Sequence, residues 1–95
     1  MWQEKKFHYG ETRVVALDVV RDGGIAIAPD EASWELTEYE SGVIESSGDC
    51  EIAQVGEGYT LKALVAPAHT GLYRLIFTFA LNDEVRKPCM IIKVK

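Results

Sequence analysis

The chain has 95 residues, of which 47% are hydrophobic and 26% charged, and its formal net charge is −5. A chain of this length buries roughly 60 to 65% of the surface that its unfolded form exposes, so residues 1–95 are expected to form one domain without a metal or disulfide. The composition excludes a disordered segment, and the negative charge argues against nucleic acid as a partner, because phosphate binding needs a basic face.

The charges are unevenly distributed along the chain. No lysine or arginine lies between Arg21 and Lys62, although most of the acidic residues fall in this stretch. Such segregation predicts either a solvated acidic face or a surface that meets a cationic partner or a second copy of the chain. Self-association is therefore one expectation.

No segment of the sequence is typical of export or of membrane insertion. Trp2 is followed by polar residues with no apolar run behind them, and the apolar runs elsewhere are too short to span a bilayer. We therefore expect synthesis in the cytoplasm and no membrane contact. In that compartment Cys50 and Cys89 are expected to remain free thiols.

Apolar residues recur at every second position along most of the chain, which predicts β-strands. Glycines at positions 23 and 24 predict a turn, and a short apolar piece follows at residues 25–28. The expected strands are, in chain order, residues 5–9, 12–21, 32–39, 59–66, 73–81 and 84–95, with shorter candidates at 40–49 and 50–55.

The most apolar segment is residues 69–84. It places Tyr73, Leu75 and Phe77 on one face, and its other face is also rather apolar. We therefore expect a central strand that the core covers on one side and neighbouring side chains or a partner cover on the other. In the last segment Pro88 has no amide to donate, which predicts an edge position or a bulge there.

About seven strands separated by turn residues, with no segment of helical periodicity, predict an all-β protein. The expected architecture is a β-sandwich of antiparallel strands with Greek-key connections. A small β-barrel is the alternative.

The spacing of Gly71, Tyr73 and Leu75 resembles the tyrosine corner of immunoglobulin-like sandwiches. In that corner a tyrosine hydroxyl turns back onto the backbone of the preceding bend. Trp34 stands where such domains place their core tryptophan, and Leu75 stands where antibody-type domains carry their second cysteine. The resemblance implies structural roles for Trp34, Gly71, Tyr73, Leu75 and Phe77.

Over nearly the whole chain, the order of strands and turn glycines resembles the small immunoglobulin-like modules of bacteriophage tail, baseplate and head-decoration proteins and of bacterial surface proteins. This resemblance implies a non-catalytic structural or interaction module, a virion component of phage or prophage origin that binds other proteins. The aromatic residues expected to be partly exposed, and therefore the candidate interaction residues, are Trp2, Phe7 and Tyr39. Strand addition at an edge formed by the terminal strand is an expected mode of binding.

No set of residues in the sequence predicts catalysis or a bound cofactor. His8 and His69 lack the neighbours of a triad or a metal site, and Cys50 and Cys89 are expected to be buried as small hydrophobic residues. The acidic segments lack the spacing of a calcium loop, and the glycine-rich stretches lack the lysine of a phosphate-binding loop. The alternative function is a small metal- or ligand-binding domain that uses the acidic loops with these histidines or cysteines.

Overall fold

The computed structural model describes residues 3–19, 29–56, 58–81 and 84–95, except for the side chains of Asp30 and Leu81. The turn predicted at residues 23–24 and the apolar piece at 25–28 therefore lie outside the described residues. Within the described ranges no helix is long and apolar enough to cross a membrane. The strands are β1 (Gln3–Phe7), β2 (Arg13–Val19), β3 (Asp30–Glu38), β4 (Ile44–Asp49), β5 (Glu51–Val55), β6 (Gly58–Val65), β7 (Gly71–Leu81), β8 (Glu84–Arg86) and β9 (Cys89–Val94).

The strands form two sheets. Sheet A has the order β1-β9-β7-β3-β4, with β8 paired to one end of β7, and sheet B has the order β2-β6-β5. The two sheets are separate and pack face to face through a shared core, so the predicted all-β sandwich is confirmed and the closed barrel is excluded.

The core lies between the inner faces of the two sheets. Alternate residues of the strands point into it, as the two-residue period predicts. Each large aliphatic side chain buried there stabilises the fold by about 1.5 to 3 kcal/mol. The buried apolar residues are Phe7, Val15, Ala32, Trp34, Leu36, Leu61, Ala63, Val65, Tyr73, Leu75, Phe77, Phe79, Met90, Ile92 and Val94.

The pairing of the first and last strands differs from the expectation of antiparallel strands throughout. β1 runs parallel to β9, with Phe7 opposite Val94, whereas the other paired strands are antiparallel. β9 consequently lies inside sheet A between β1 and β7. The prediction that the terminal strand forms an exposed edge for strand addition is therefore wrong, because β1 covers that edge.

The segment expected as one last strand is divided by Pro88 into β8 and β9. The register against β7 is the same on both sides of the division, because Phe79 faces Arg86 and Ile76 faces Cys89. Pro88 has no amide hydrogen to donate, so it interrupts the hydrogen-bond ladder to β7, but it does not form a bulge. Its carbonyl still accepts a hydrogen bond from the Phe77 amide at 3.0 Å, which keeps the segment between β8 and β9 beside β7.

Candidate functional site

Tyr73 ties the bend before β7 to strand β4, which lies on the far side of β3 in sheet A. Its hydroxyl accepts a hydrogen bond from the His69 amide at 3.2 Å and donates one to Glu45 Oε1 at 2.8 Å. The other oxygen of Glu45 accepts from the Ala68 amide at 3.1 Å. Burial, together with the hydrogen bond to Glu45, raises the pKa of Tyr73 to about 12, because a phenolate could not donate that bond.

Gly71 begins the strand that carries this tyrosine. Its φ of 124° lies in the region that favours glycine, so a residue with a Cβ would be strained at this position. Sequence reasoning finds Gly71 and Tyr73 by their spacing but does not single out Glu45. Its partner lies 28 residues away, and no local pattern joins the two.

The three candidate interaction residues have different positions. Trp2 lies outside the described residues. Phe7 is only 2% exposed, so the expectation that it is partly exposed is wrong. The parallel pairing of β1 turns the Phe7 ring toward the core, and the Arg13 guanidinium covers it with its carbon 4.4 Å from the ring centroid.

Tyr39 is 39% exposed and lies in the turn after β3. Its amide donates to the Leu72 carbonyl at 3.1 Å, and the Arg74 guanidinium lies over its ring, 4.3 Å from the centroid. This distance is typical of a cation–π contact. The backbone bond and the stacking together hold the aromatic ring against the outer face of sheet A.

Apolar side chains surround this pair on the same face. Arg74 lies opposite Ile91 on one side and Thr37 on the other, and Thr37 lies opposite Ile44 on β4. Ile44 is 55% exposed and Leu72 is 45% exposed. We call this surface the Tyr39 patch; its residues are Tyr39, Ile44, Leu72, Arg74 and Ile91.

A cleft of about 430 Å³ borders the Tyr39 patch at the end of the sandwich. It is lined by residues 38–40 and 69–73, and so joins the β3–β4 turn to the tyrosine corner. Glu38 is held within this wall, because one of its carboxylate oxygens accepts a hydrogen bond from the Ser41 hydroxyl at 2.7 Å. A side chain of a bound partner could enter the cleft while its neighbours contact the patch.

The residues considered for metal binding do not converge within the described ranges. No group of three or more His, Cys, Asp or Glu side chains in these ranges could hold a metal ion. The acidic loops of the alternative function are those near Asp22, Asp30, Glu31, Asp49 and Glu51. Asp22 and the side chain of Asp30 lie outside the described residues. His8 and His69 are both exposed.

The two cysteines are unbridged and partly buried. Burial, together with a smaller effect of the neighbouring Asp49 carboxylate, raises the pKa of the Cys50 thiol to about 11. Burial also raises the pKa of Cys89, against the opposing effect of the Arg74 charge. Since the thiolate is the nucleophilic form, thiols with raised pKa values are poor nucleophiles at neutral pH.

Neither the protein-family models nor the curated proteins searched gave a match to this sequence. Among solved structures, the chain is similar to the tandem immunoglobulin domains of titin, with a TM-score of 0.50 and 12% identity. That match covers 98% of this chain and 44% of the titin chain, so the protein spans less than half of the tandem. The fold is immunoglobulin-like.

A second match is the solution structure of amebosin, with a TM-score of 0.39 and 16% identity over 97% of this chain and 88% of that one. At such identities a likeness between structures shows the fold alone. The immunoglobulin-like sandwich expected from the sequence is confirmed. The narrower resemblance to phage and bacterial surface modules receives no support from these comparisons.

Proposed function

We propose that the protein is a non-catalytic interaction module that binds other proteins through the Tyr39 patch. The observation that supports this proposal is the stacked Tyr39–Arg74 pair on the outer face of sheet A, together with the exposed aliphatic side chains of Ile44 and Leu72. Tyrosine and arginine are enriched among the residues that carry most of the energy of protein interfaces, and clustered exposed apolar side chains are typical of contact surfaces.

The patch is held in place before any partner binds. The Tyr39 backbone is fixed by its bond to Leu72, and Arg74 lies on a central strand of sheet A with its ring partner already in contact. Side chains that are ordered in the free protein lose less conformational entropy on binding.

A narrower form of the proposal concerns the origin of the protein itself. The order of strands and turn glycines supports a virion component of phage or prophage origin whose partners are other virion proteins or cell-surface components, made in the cytoplasm as one domain over residues 1–95. This form rests on the strand pattern of the sequence alone.

The proposal is tested by comparing what the immobilised protein retains with what two matched variants retain. The first variant, Tyr39→Ser with Leu72→Ser, alters the patch; the second, Leu64→Ser, removes an aliphatic side chain that is 61% exposed on sheet B. Lysates of the producing cells are used with and without prophage induction. We expect the same proteins on the wild type and on Leu64→Ser, and their loss from the patch variant.

Equal retention by all three proteins would contradict the assignment of the patch. Retained proteins that are present with or without prophage induction, and that include no virion component, would contradict only the narrower form.

A further inference from the structure

Strand β4 ends sheet A and, among the described residues, pairs only with β3. The Cys50 amide donates to the Ala32 carbonyl at 3.0 Å. This bond shows which residues of β4 direct their backbone N–H and C=O groups toward β3. Because backbone groups alternate in direction along a strand, those of Gly48 face β3. The backbone groups of Ser47 and Asp49 point away from β3, outward from the edge of the sheet.

Small side chains leave this edge accessible. The middle of β4 reads Ser46, Ser47, Gly48, and the glycine is required by packing, since an added Cβ would lie 3.1 Å from Trp34 Nε1. Small residues allow another backbone to approach closely. Lysine and proline, which commonly protect edge strands, do not occur in β4.

Side chains contact the opposite edge of sheet A at the end of β1. Arg13 Nη2 donates to the Lys6 carbonyl at 3.0 Å, and Glu11 Oε1 accepts from the His8 amide, just after the strand, at 3.3 Å. No bond of this kind engages the outward backbone groups of Ser47 and Asp49 within the described part of the chain.

The surroundings of β4 are acidic. The strands β3, β4 and β5 contain acidic residues and no lysine or arginine. Asp49 ends β4 in an exposed position, Glu51 begins β5 in another, and Glu35 lies opposite Ser47. Glu51 lies opposite Lys62 on β6, whereas a strand that binds beside Ser47 and Asp49 meets the carboxylates of Asp49 and Glu35, which favours a cationic segment.

We propose that β4 binds an extended, lysine- or arginine-bearing segment of another protein by adding it to sheet A as a further strand. The outward backbone groups of Ser47 and Asp49 pair with the main chain of this segment, and the surrounding carboxylates attract its cationic side chains. This site goes beyond the proposed function, because it uses the edge of the sheet and not the Tyr39 patch on its outer face.

A blocked peptide of six residues that alternates threonine and lysine serves as the probe, and its counterpart with glutamate in place of lysine serves as the control. Amide resonances of the full chain are followed by NMR during titration at 50 and 300 mM salt. We expect the lysine peptide to shift the Ser47 and Asp49 resonances and its affinity to fall roughly threefold or more at the higher salt, because the attraction is screened. The glutamate peptide is expected not to bind.

Variants at Ser47 separate strand addition from charge attraction alone. Ser47→Pro removes the outward N–H, and proline is tolerated on edge strands where the amide faces solvent. We expect about a tenfold or greater loss of affinity, since the lost hydrogen bond leaves a carbonyl of the peptide unpaired. Ser47→Ala keeps the N–H and should bind as the wild type does, and Asp49→Lys should weaken binding.

Tyr39→Ser should leave binding of the probe unchanged, so failure of this site and failure of the Tyr39 patch are distinguishable. Unchanged binding by a folded Ser47→Pro variant, or equal binding of the glutamate peptide, would overturn the proposal. Concentration-dependent self-association that Ser47→Pro abolishes, in place of peptide binding, would overturn it in favour of a second copy of the chain.

Discussion

The Tyr73 hydroxyl joins the bend before β7 to β4 through two hydrogen bonds, one of them to a carboxylate. Tyr73→Phe keeps the buried ring but removes both bonds. We expect the free energy of unfolding to fall by about 1 to 3 kcal/mol, which urea denaturation would measure. The control is Tyr9→Phe, whose ring is 66% exposed and whose change should cost less than about 0.5 kcal/mol. Equal stability of the Tyr73 and Tyr9 variants would contradict this role of the hydroxyl.

Alkaline pH should destabilise the protein through acids whose pKa values folding raises, chief among them Cys50 and Tyr73. Folding raises the pKa of Cys50 from 9.0 to about 11 and that of Tyr73 from 10.0 to about 12. The stability that these two groups contribute is therefore complete below pH 9. It begins to fall above pH 9, where Cys50 ionises in the unfolded chain, and it falls further between pH 10 and pH 12, where Tyr73 does so. For Tyr73 the loss is about 2 to 3 kcal/mol.

Denaturation of the wild type and Tyr73→Phe at pH 8 and pH 11.5 would measure this effect. The variant lacks the phenol and should lose less stability between the two pH values. Parallel losses in the two proteins would show that Tyr73 is not the group that titrates.

The sequence predicts much at the residue scale and fails where a neighbour comes from a distant strand. The two-residue period places Trp34, Leu75 and Phe77 on inner faces, where the structure has them buried. The same period could not show that Phe7 is covered, because its burial depends on the parallel pairing with β9. Glu45 was missed for the same reason, as its partners lie in another part of the chain.

At the scale of elements, the contact between β3 and β4 depends on Gly48. A Cβ added there would lie 3.1 Å from Trp34 Nε1 and 3.3 Å from two ring carbons. Because Trp34 is packed in the core, its ring cannot move away freely, and Gly48→Ala should destabilise the protein by about 1 to 2 kcal/mol. The neighbouring Ser47→Ala is the control, with an expected change below about 0.5 kcal/mol. If a thermal melt gave both variants the same midpoint temperature as the wild type, the close contact between Gly48 and Trp34 would be contradicted.

The positions of the strands follow from the sequence more readily than their partners do. Alternation of apolar residues predicts β2, β3, β6 and β7 because each buries one face. Alternation shows which face a strand buries and says nothing about which strand lies beside it, so the placement of β9 inside sheet A was not predicted. Proline chemistry predicts an edge position or a bulge at Pro88. The register shows no bulge, and β8, which ends just before Pro88, pairs only with β7 among the described strands, as an edge strand does.

At the scale of the whole molecule, acidic and basic residues that are separated along the sequence also lie on opposite sides of sheet A. The acidic strands β3 and β4 lie at one side of sheet A, and β1 and β9, which carry Lys5, Lys6 and Lys93, lie at the other. The sequence shows the segregation, but only the strand order shows that the acidic side coincides with an open edge. That coincidence supports β4 as the site for a cationic segment.

The central claim is an immunoglobulin-like sandwich in which β1 pairs with the outer side of β9 and β4 is an edge strand whose outward backbone groups are free to bind. Native-state amide hydrogen exchange followed by NMR tests it most directly, because it reports each backbone donor separately. We predict slow exchange for Gly48, Cys50 and Lys95, whose amides are bonded within the sheet, and fast exchange for Ser47 and Asp49. Ser47 and Asp49 amides as slow as their neighbours, or a fast Lys95 amide, would contradict the account.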